Sequence, residues 1–386
     1  MKKLFALVLA VVMVLALAAP AFADGEDTIV IGVFEPLTGD NGPGGKQEYL
    51  GMQYANQETP TVEVDGTTYN VELVVADNES SNDKAVSAAT ELVASNASIV
   101  LGSYGSSVSI AGSDTFGEAG VPVIGVTCTN PQVTEGNDHY FRICFTDPGQ
   151  GAIHAQFAKN TLGASKVYCL GELGNDYDQG LLNYFKMTAD ELGLDAQVES
   201  FPNGTSDFTA YLTNAKNFGA EVIFAPCSIP YGQLIIQQAA SQGLDVVITG
   251  PDTWDSNMIM DSVVATGMNV YCTTFYGEGG APEFEEGFKA WLNSDDTALA
   301  NNGGNDMIAA VSVMGYDAYY TALEAIKAAG STDPADILAA LPGVTYEGAT
   351  GGIAFGDNGD AVRSTAFIKH ANAESGQWEA ELTELG

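Results

Sequence analysis

The sequence predicts an α/β protein of two lobes, each a parallel sheet flanked by helices. Three observations carry this. Short β-branched runs alternate with longer amphipathic ones along nearly the whole chain, the pattern of β-α-β units with right-handed crossovers. The alternation comes as two series of similar size, one starting at Thr28 and one beyond Asp147, with a polar crossing between them. And 386 residues are too many for one ordinary core but suit two.

The chain opens on a leader. Lys2 and Lys3 precede an apolar run from Leu4 to Ala19, and Pro20-Ala21-Phe22-Ala23 offers small residues at a cleavage site before Asp24. Residues 1–23 therefore read as a secretory signal peptide, too short for a membrane span and without a lipid-anchor cysteine. The first strand is TIVIGVF (28–34). A glycine-rich turn, PLTGDNGPGGK, leads from it into the helical run QEYLGMQYANQE. TYNVELVVAD (68–77) is the next strand. Residues 83–95 place apolar side chains at 85, 86, 89, 92 and 93, a helical stripe. Strand 98–102, a helix near 106–118 and strand 121–126 complete the first series.

Gln132 to Asp147 reads as the polar crossing. The second series runs through helix 149–161, strand 165–172, helix 178–193, strand 197–201, helix 206–219, strand 220–226, helix 231–242 and strand 245–251. Beyond it come strand 269–276, a helix across 282–295, a long helix over 308–330 and a short one over 331–341 with its proline in the first turn. The tail reads as one hairpin.

The two hydroxyl-rich turns of the first series carry the functional signal. Gly102-Ser103-Tyr104-Gly105-Ser106-Ser107 follows one buried strand and Thr127-Cys128-Thr129-Asn130 follows the next. Strand ends at the carboxyl edge of an open parallel sheet are where ligands bind. Free N–H groups and hydroxyls there suit the polar head of a small molecule.

Composition and motifs exclude several functions. The formal charge is −37, which repels nucleic acid and anionic lipid and favours solubility. Five cysteines are an odd number, so at least one is unpaired, and no CxxC or Cys/His cluster suggests zinc or redox chemistry. GDNGPGGK (39–46) has the wrong glycine spacing for a phosphate loop, and Gln47 stands where Ser or Thr is required. No G-x-S-x-G occurs, and His139, His154 and His370 are scattered. DNGD (357–360) lacks the acceptors of a calcium loop and reads as a turn. No catalytic constellation, cofactor or metal is expected.

Seven stretches in order carry a family resemblance: IVIGVFEPLTG (29–39), the Gly102–Thr129 region, YFRICFTDPGQG (140–151), NDYDQG (175–180), SDFTAYLTNAKNFGAEVIF (206–224), GPDTW (250–254) and GYDAYYTALEAIKAAGSTDPADILAAL (315–341). Together they resemble the extracellular solute-binding proteins of ABC transporters, of the branched-chain amino-acid (Leu/Ile/Val) type. The resemblance implies the type I periplasmic-binding fold: two Rossmann-like lobes joined by a hinge of several crossings. The lobes would comprise 24–146 with 277–355, and 147–276 with 356–386.

It also implies a site. Ser106, Thr127 and Thr129 match positions that hold a ligand's carboxylate, although as residues alone they also suit a helix cap and turn positions. Asp252 in GPDTW matches the acid that meets the ammonium, and Tyr177 in NDYDQG a tyrosine that closes over the ligand. The chemistry agrees, since a zwitterion in a dry cleft needs neutral donors at one end and one acid at the other. Two departures concern the side-chain pocket: Pro43-Gly44-Gly45 stands where an aromatic is frequent, and Cys227-Ser228 where a tyrosine is. Tyr104, Trp254 and Phe275 are the aromatics placed to refill it. The expected function is capture of an amino acid, an aliphatic one first, and delivery to a permease by an exported monomer in the periplasm or outside the cell. The alternative is a sensor of small amides or aromatic carboxylates coupled to a signalling partner.

Overall fold

The computed structural model describes residues 27–384, so the leader at 1–23 lies outside the described residues. The strands are β1 (Thr28–Glu35), β2 (Thr61–Val64), β3 (Thr67–Asp77), β4 (Ile99–Leu101), β5 (Val123–Gly125), β6 (Tyr140–Arg142), β7 (Lys166–Glu172), β8 (Asp195–Phe201), β9 (Val222–Phe224), β10 (Val247–Gly250), β11 (Asn269–Thr274), β12 (Thr345–Gly348), β13 (Gly351–Ala354), β14 (Thr365–Asn372) and β15 (Gln377–Glu384). The helices that matter below are α1 (Gly42–Glu58), α2 (Asn82–Ala94), α3 (Ser106–Ala119), α4 (Asp147–Gln156), α5 (Asp176–Glu191), and α6 (Thr209–Phe218). They continue with α7 (Ile229–Ser241), α8 (Asn257–Thr266), α9 (Pro282–Leu292), α10 (Asp296–Asn301), α11 (Ala310–Ala329) and α12 (Pro334–Ala340).

Two sheets organise the chain. The first has the order β2-β3-β1-β4-β5-β6 and the second β15-β14-β11-β10-β9-β7-β8. Within the first, β3 through β6 run parallel and only β2 is antiparallel. Within the second, β11 through β8 run parallel, and the antiparallel pair β14 and β15 extends one edge. Strand order reverses at β1/β4 in one sheet and at β7/β9 in the other. Loops at such switch points diverge and leave a crevice, which is where ligands bind in this architecture.

The packing explains why the chain returns to its first half. Helices α1 and α11 cross at backbone contact. A Cβ on Gly51 would lie 1.8 Å from the Ser312 carbonyl, and one on Gly315 would lie 2.1 Å from the Glu48 carbonyl. The Ser312 hydroxyl donates to the Gln47 carbonyl at 2.7 Å. Met314, Ala318, Tyr319, Ala322 and Leu323 of α11 then bury against Ile29, Ile31 and Val33 of β1 and Met52 of α1. The second sheet has its own core around Phe201, Phe208, Ile235, Ile248 and Trp254.

Four expectations change. Residues 61–64 form an edge strand hairpinned to β3 through Asp65 (φ 47°) and Gly66 (φ 80°), the Asp-Gly signature of a tight turn. The polar crossing contains β6, because Tyr140 and Phe141 pair with β5 and close the first sheet. The glycine-rich turn is shorter than expected, since Gly39 (φ 78°) makes the bend and Pro43 sits in the first turn of α1. The tail forms two hairpins: β12 and β13 pair by themselves, while β14 and β15 join the second sheet. Between them Asp360 meets the buried Arg142, with Nε 2.6 Å from Oδ1, and ties the tail to β6.

Candidate ligand-binding site

The carboxyl ends of the first sheet's central strands and the switch-point loops of the second face each other. Between them lies a small cavity of about 50 Å³, lined among others by Tyr104, Ser106, Thr127, Tyr177, Ser228 and Thr253. That holds a few waters. Contacts bridge the two sides: Tyr104 Oη donates to the Thr253 carbonyl (3.2 Å), the Asp176 N–H donates to Ser107 Oγ (2.9 Å) and Asn130 Nδ2 donates to the Asp176 carbonyl (2.8 Å). Gln47 Nε2 reaches Asn257 Oδ1 at 3.3 Å, and its Oε1 accepts from Ser256 Oγ at 3.1 Å.

Six of the sequence-derived candidates come together here. Ser106 is the first residue of α3, not its cap, and its buried Oγ accepts from the Asn130 N–H at 3.2 Å. Thr127 donates its hydroxyl hydrogen to Glu48 Oε2. Thr129 is fully buried and faces Asp147 outside ordinary hydrogen-bond geometry, with no other side-chain partner for either. Tyr177 Oη donates to Asp252 Oδ1 at 2.5 Å. Asp252 sits in a 3-10 turn directly after β10, fully buried. Tyr104 occupies the space above Gly44, where a Cβ would come within 2.1 Å of its ring. The space that Gly44 leaves is filled by this aromatic of the neighbouring loop.

Trp254, Cys227 and Phe275 turn away from this cavity. The Trp254 indole turns into the second sheet's core against Gly250 and Gly232, where added Cβ atoms would lie 2.0 and 2.6 Å from its ring. Its Nε1 donates to the Cys227 carbonyl at 2.7 Å. The Cys227 thiol is in the same core, and Ser228 supplies the cavity wall instead. Adjacent residues at a strand end point to opposite faces, so one of each pair had to turn away. Phe275 packs against Phe145 with the rings tilted (centroids 4.2 Å apart), lining a separate cavity of about 220 Å³. All five cysteines are buried and unbridged.

The structure adds four residues that sequence reasoning missed. Gln150 of α4 clasps Asp252: its Nε2 donates to Oδ1 (2.8 Å) and its Oε1 accepts from the Asp252 N–H (2.9 Å) and from Thr273 Oγ1 (2.7 Å). Glu35, Glu48 and Asp147 are fully buried acids. Glu35, at the carboxyl end of β1 and before Pro36, was visible as an acid at a ligand-binding edge. Glu48 was not, because the element that buries it arrives some 265 residues later in sequence, as the Ser312 to Gln47 bond shows.

These acids shape the electrostatics. Burial raises Glu35 well above the ordinary range, and the neighbouring Glu48 carboxyl raises it further. Burial also lifts Glu48 to about 7, Asp147 to about 8 and Asp252 to about 6, opposed at Glu48 by the Thr127 hydroxyl and at Asp252 by Tyr177 and Gln150. Burial disfavours the charged form unless a partner offsets it. Oδ2 of Asp252, Oε1 of Glu48, Oγ1 of Thr129 and both Asp147 oxygens have no hydrogen-bond partner in the protein. Buried polar atoms are otherwise nearly always paired, so a ligand with matching donors gains most here. Among the described residues, no group of His, Cys, Asp and Glu is arranged to hold a metal ion.

The arrangement is that of a solute-binding cleft between two Rossmann-like lobes. The chain matches the periplasmic binding protein family over residues 28–376 and belongs to it. An amino acid binding protein of Pseudomonas aeruginosa is 29% identical over 349 residues, covering 86% of this chain and 87% of the relative. The leucine-binding protein LivK of Thermotoga maritima superposes with a TM-score of 0.83 at 30% identity, covering 93% of this chain and 99% of that one. The substrate-binding protein LivJ of Streptococcus pneumoniae, solved with isoleucine, gives 0.81 at 26% identity, covering 93% and 100%.

Proposed function

We propose that this protein is an exported receptor that captures a zwitterionic amino acid, a branched-chain one first, and delivers it as a monomer to an ABC permease. The observation that carries the reading is the buried Asp252, held by Gln150 and Tyr177 and opposite the hydroxyl-bearing strand ends of the other lobe. An acid so placed is satisfied by an ammonium, while Ser106, Thr129 and the N–H groups of the α3 turn serve a carboxylate without an arginine. The leucine and isoleucine relatives support the aliphatic choice. Among the described residues no helix is long and apolar enough to cross a membrane.

The cavity between the lobes is small, about 50 Å³, and hydrogen bonds from both sides bridge its mouth. Binding therefore requires the hinge to open, with 24–146 and 277–355 moving against 147–276 and 356–386, a common motion in two-lobed binding proteins.

A thermal-shift panel of the common amino acids, small amides and aromatic carboxylates tests the reading. Leucine, isoleucine or valine at a hundredfold excess over Kd should stabilise the protein by about 2.7 kcal/mol. Asp252→Asn should weaken that binding by at least about 2 kcal/mol, since it strips a buried charge of its partner. Stabilisation by no amino acid, or an Asp252→Asn variant that binds as well as the parent, would overturn it.

A further inference from the structure

The ammonium half of the site contains more than Asp252. We propose that Glu48 sets the polarity of the cleft through Thr127, turning that hydroxyl into an acceptor, so that the site selects a ligand bearing an α-ammonium over the same skeleton without one. The proposal rests on the amino-acid reading above and moves Thr127 from the carboxylate half of the site to the ammonium half.

The argument is a hydrogen count. A hydroxyl has one hydrogen and two lone pairs. Thr127 lines the cavity and gives its hydrogen to Glu48 Oε2, so only lone pairs remain for a ligand. Tyr177, across the cavity, gives its hydrogen to Asp252 Oδ1 and is in the same position. Asp252 Oδ2 adds a third acceptor, buried and unpartnered. Three acceptors drawn from both lobes match the three N–H donors of an ammonium. A methylene or a neutral acceptor in that place satisfies none of them, and leaving buried polar groups unpaired is what rejects an analogue most strongly.

Glu48 is built to hold this direction. Its helix is locked by the Gly51 and Gly315 crossing, and Gln47 beside it is bonded to Ser256 and Asn257. Its other oxygen is buried without a partner near the Glu35 carboxyl, while Glu35 Oε2 accepts from the Tyr104 N–H at 2.9 Å. Two carboxyls in contact hold one proton between them. The hydrogen bond from Thr127 to Oε2 favours the charged form of Glu48, the acceptor. The titratable groups facing Glu48 are Glu35 from β1, Asp252 from the turn after β10, Tyr104 from the loop after β4 and Cys128 beside Thr127. None is cationic. With burial holding Glu48 near 7, acidification protonates it and frees Thr127 from its donor role.

The test is calorimetric titration of the full chain with leucine and with 4-methylpentanoate, the same skeleton without the amine, at pH 7.5 and pH 6. The parent should prefer leucine, and the preference should shrink at the lower pH. Glu48→Gln, whose amide can donate to Thr127, and Thr127→Val should each cut the leucine-to-analogue affinity ratio about tenfold or more. In Glu48→Gln the ratio should lose the part of its pH dependence that Glu48 contributes, leaving that of Asp252, and Thr127→Ser, which keeps the hydroxyl, should hold the parent's ratio. Where Glu48→Gln does not fold, the Thr127→Val and Thr127→Ser pair decides. Leucine binding by the parent with a ratio unmoved in the variants overturns this proposal alone. No binding of leucine by the parent overturns it together with the amino-acid reading.

Discussion

At the scale of single residues, position in the strand decided what could be read in advance. Ser106, Thr127 and Thr129 stand out because they follow buried runs at a sheet edge, whereas Tyr177 and Asp252 stand out only through the resemblance, and all five fall around one cleft. Trp254 and Cys227 stand at equivalent edges, yet the 3-10 turn of Asp252–Trp254 sends the indole back into the core. Nothing in the local pattern distinguishes Asp252 from Trp254 in facing direction, since both are two-residue neighbours of the same turn. Their substitutions should separate cleanly. Trp254→Ala should cost about 3–5 kcal/mol of stability in urea unfolding, because it empties a fully buried indole site. Asp252→Asn should act chiefly on ligand affinity.

At the scale of elements, strands and helices with strong periodicity were found and their ends shifted by a few residues. The helix expected over 308–330 spans Ala310–Ala329, and that expected over 83–95 spans Asn82–Ala94. The short strands β2 and β6 were missed for different reasons. The first has an Asp-Gly turn that went unused, and the second is only three residues long and gains its strand character from pairing with β5. The crossing of α1 over α11 could not be read at all, since glycines in helical runs signal weakness unless the partner helix is known. Gly51→Ala and Gly315→Ala should each destabilise the protein by at least about 1–3 kcal/mol, because the added methyl meets backbone and not a side chain that can swing away. Urea unfolding checks this. Each should also disturb Glu48, whose own carbonyl is part of the contact.

At the scale of the whole molecule, the two-lobe α/β plan was legible from alternation and length, and the membership of the family followed from ordered stretches spread over the chain. Which acids lie buried was not, because a net charge of −37 does not say which carboxyls are desolvated. They have a collective effect. Glu48, Asp147 and Asp252 bind protons more tightly folded than unfolded, so between about pH 4, where free carboxyls titrate, and pH 6–8 the native state holds extra protons. Stability then falls as pH rises through that window. His154, buried and lowered to about 3, works the opposite way below its ordinary pKa, but it is one group against several. Surface self-repulsion adds to the carboxyls. The thermal midpoint of the unliganded protein should be higher near pH 5.5 than at pH 8, and a flat or rising profile would count against the buried-acid description.

The return of α11 onto α1 also governs how the chain comes into being. The strands of the first sheet are complete once Arg142 has been synthesised, but the helix that covers β1 begins only at Ala310. The second sheet likewise waits for β14 and β15, close to the C-terminus. A ribosome making this polypeptide therefore releases a long stretch of apolar strands before either half can close over them. Contacts so distant in sequence form slowly, so the face of β1 that α11 covers stays open until that helix has been made.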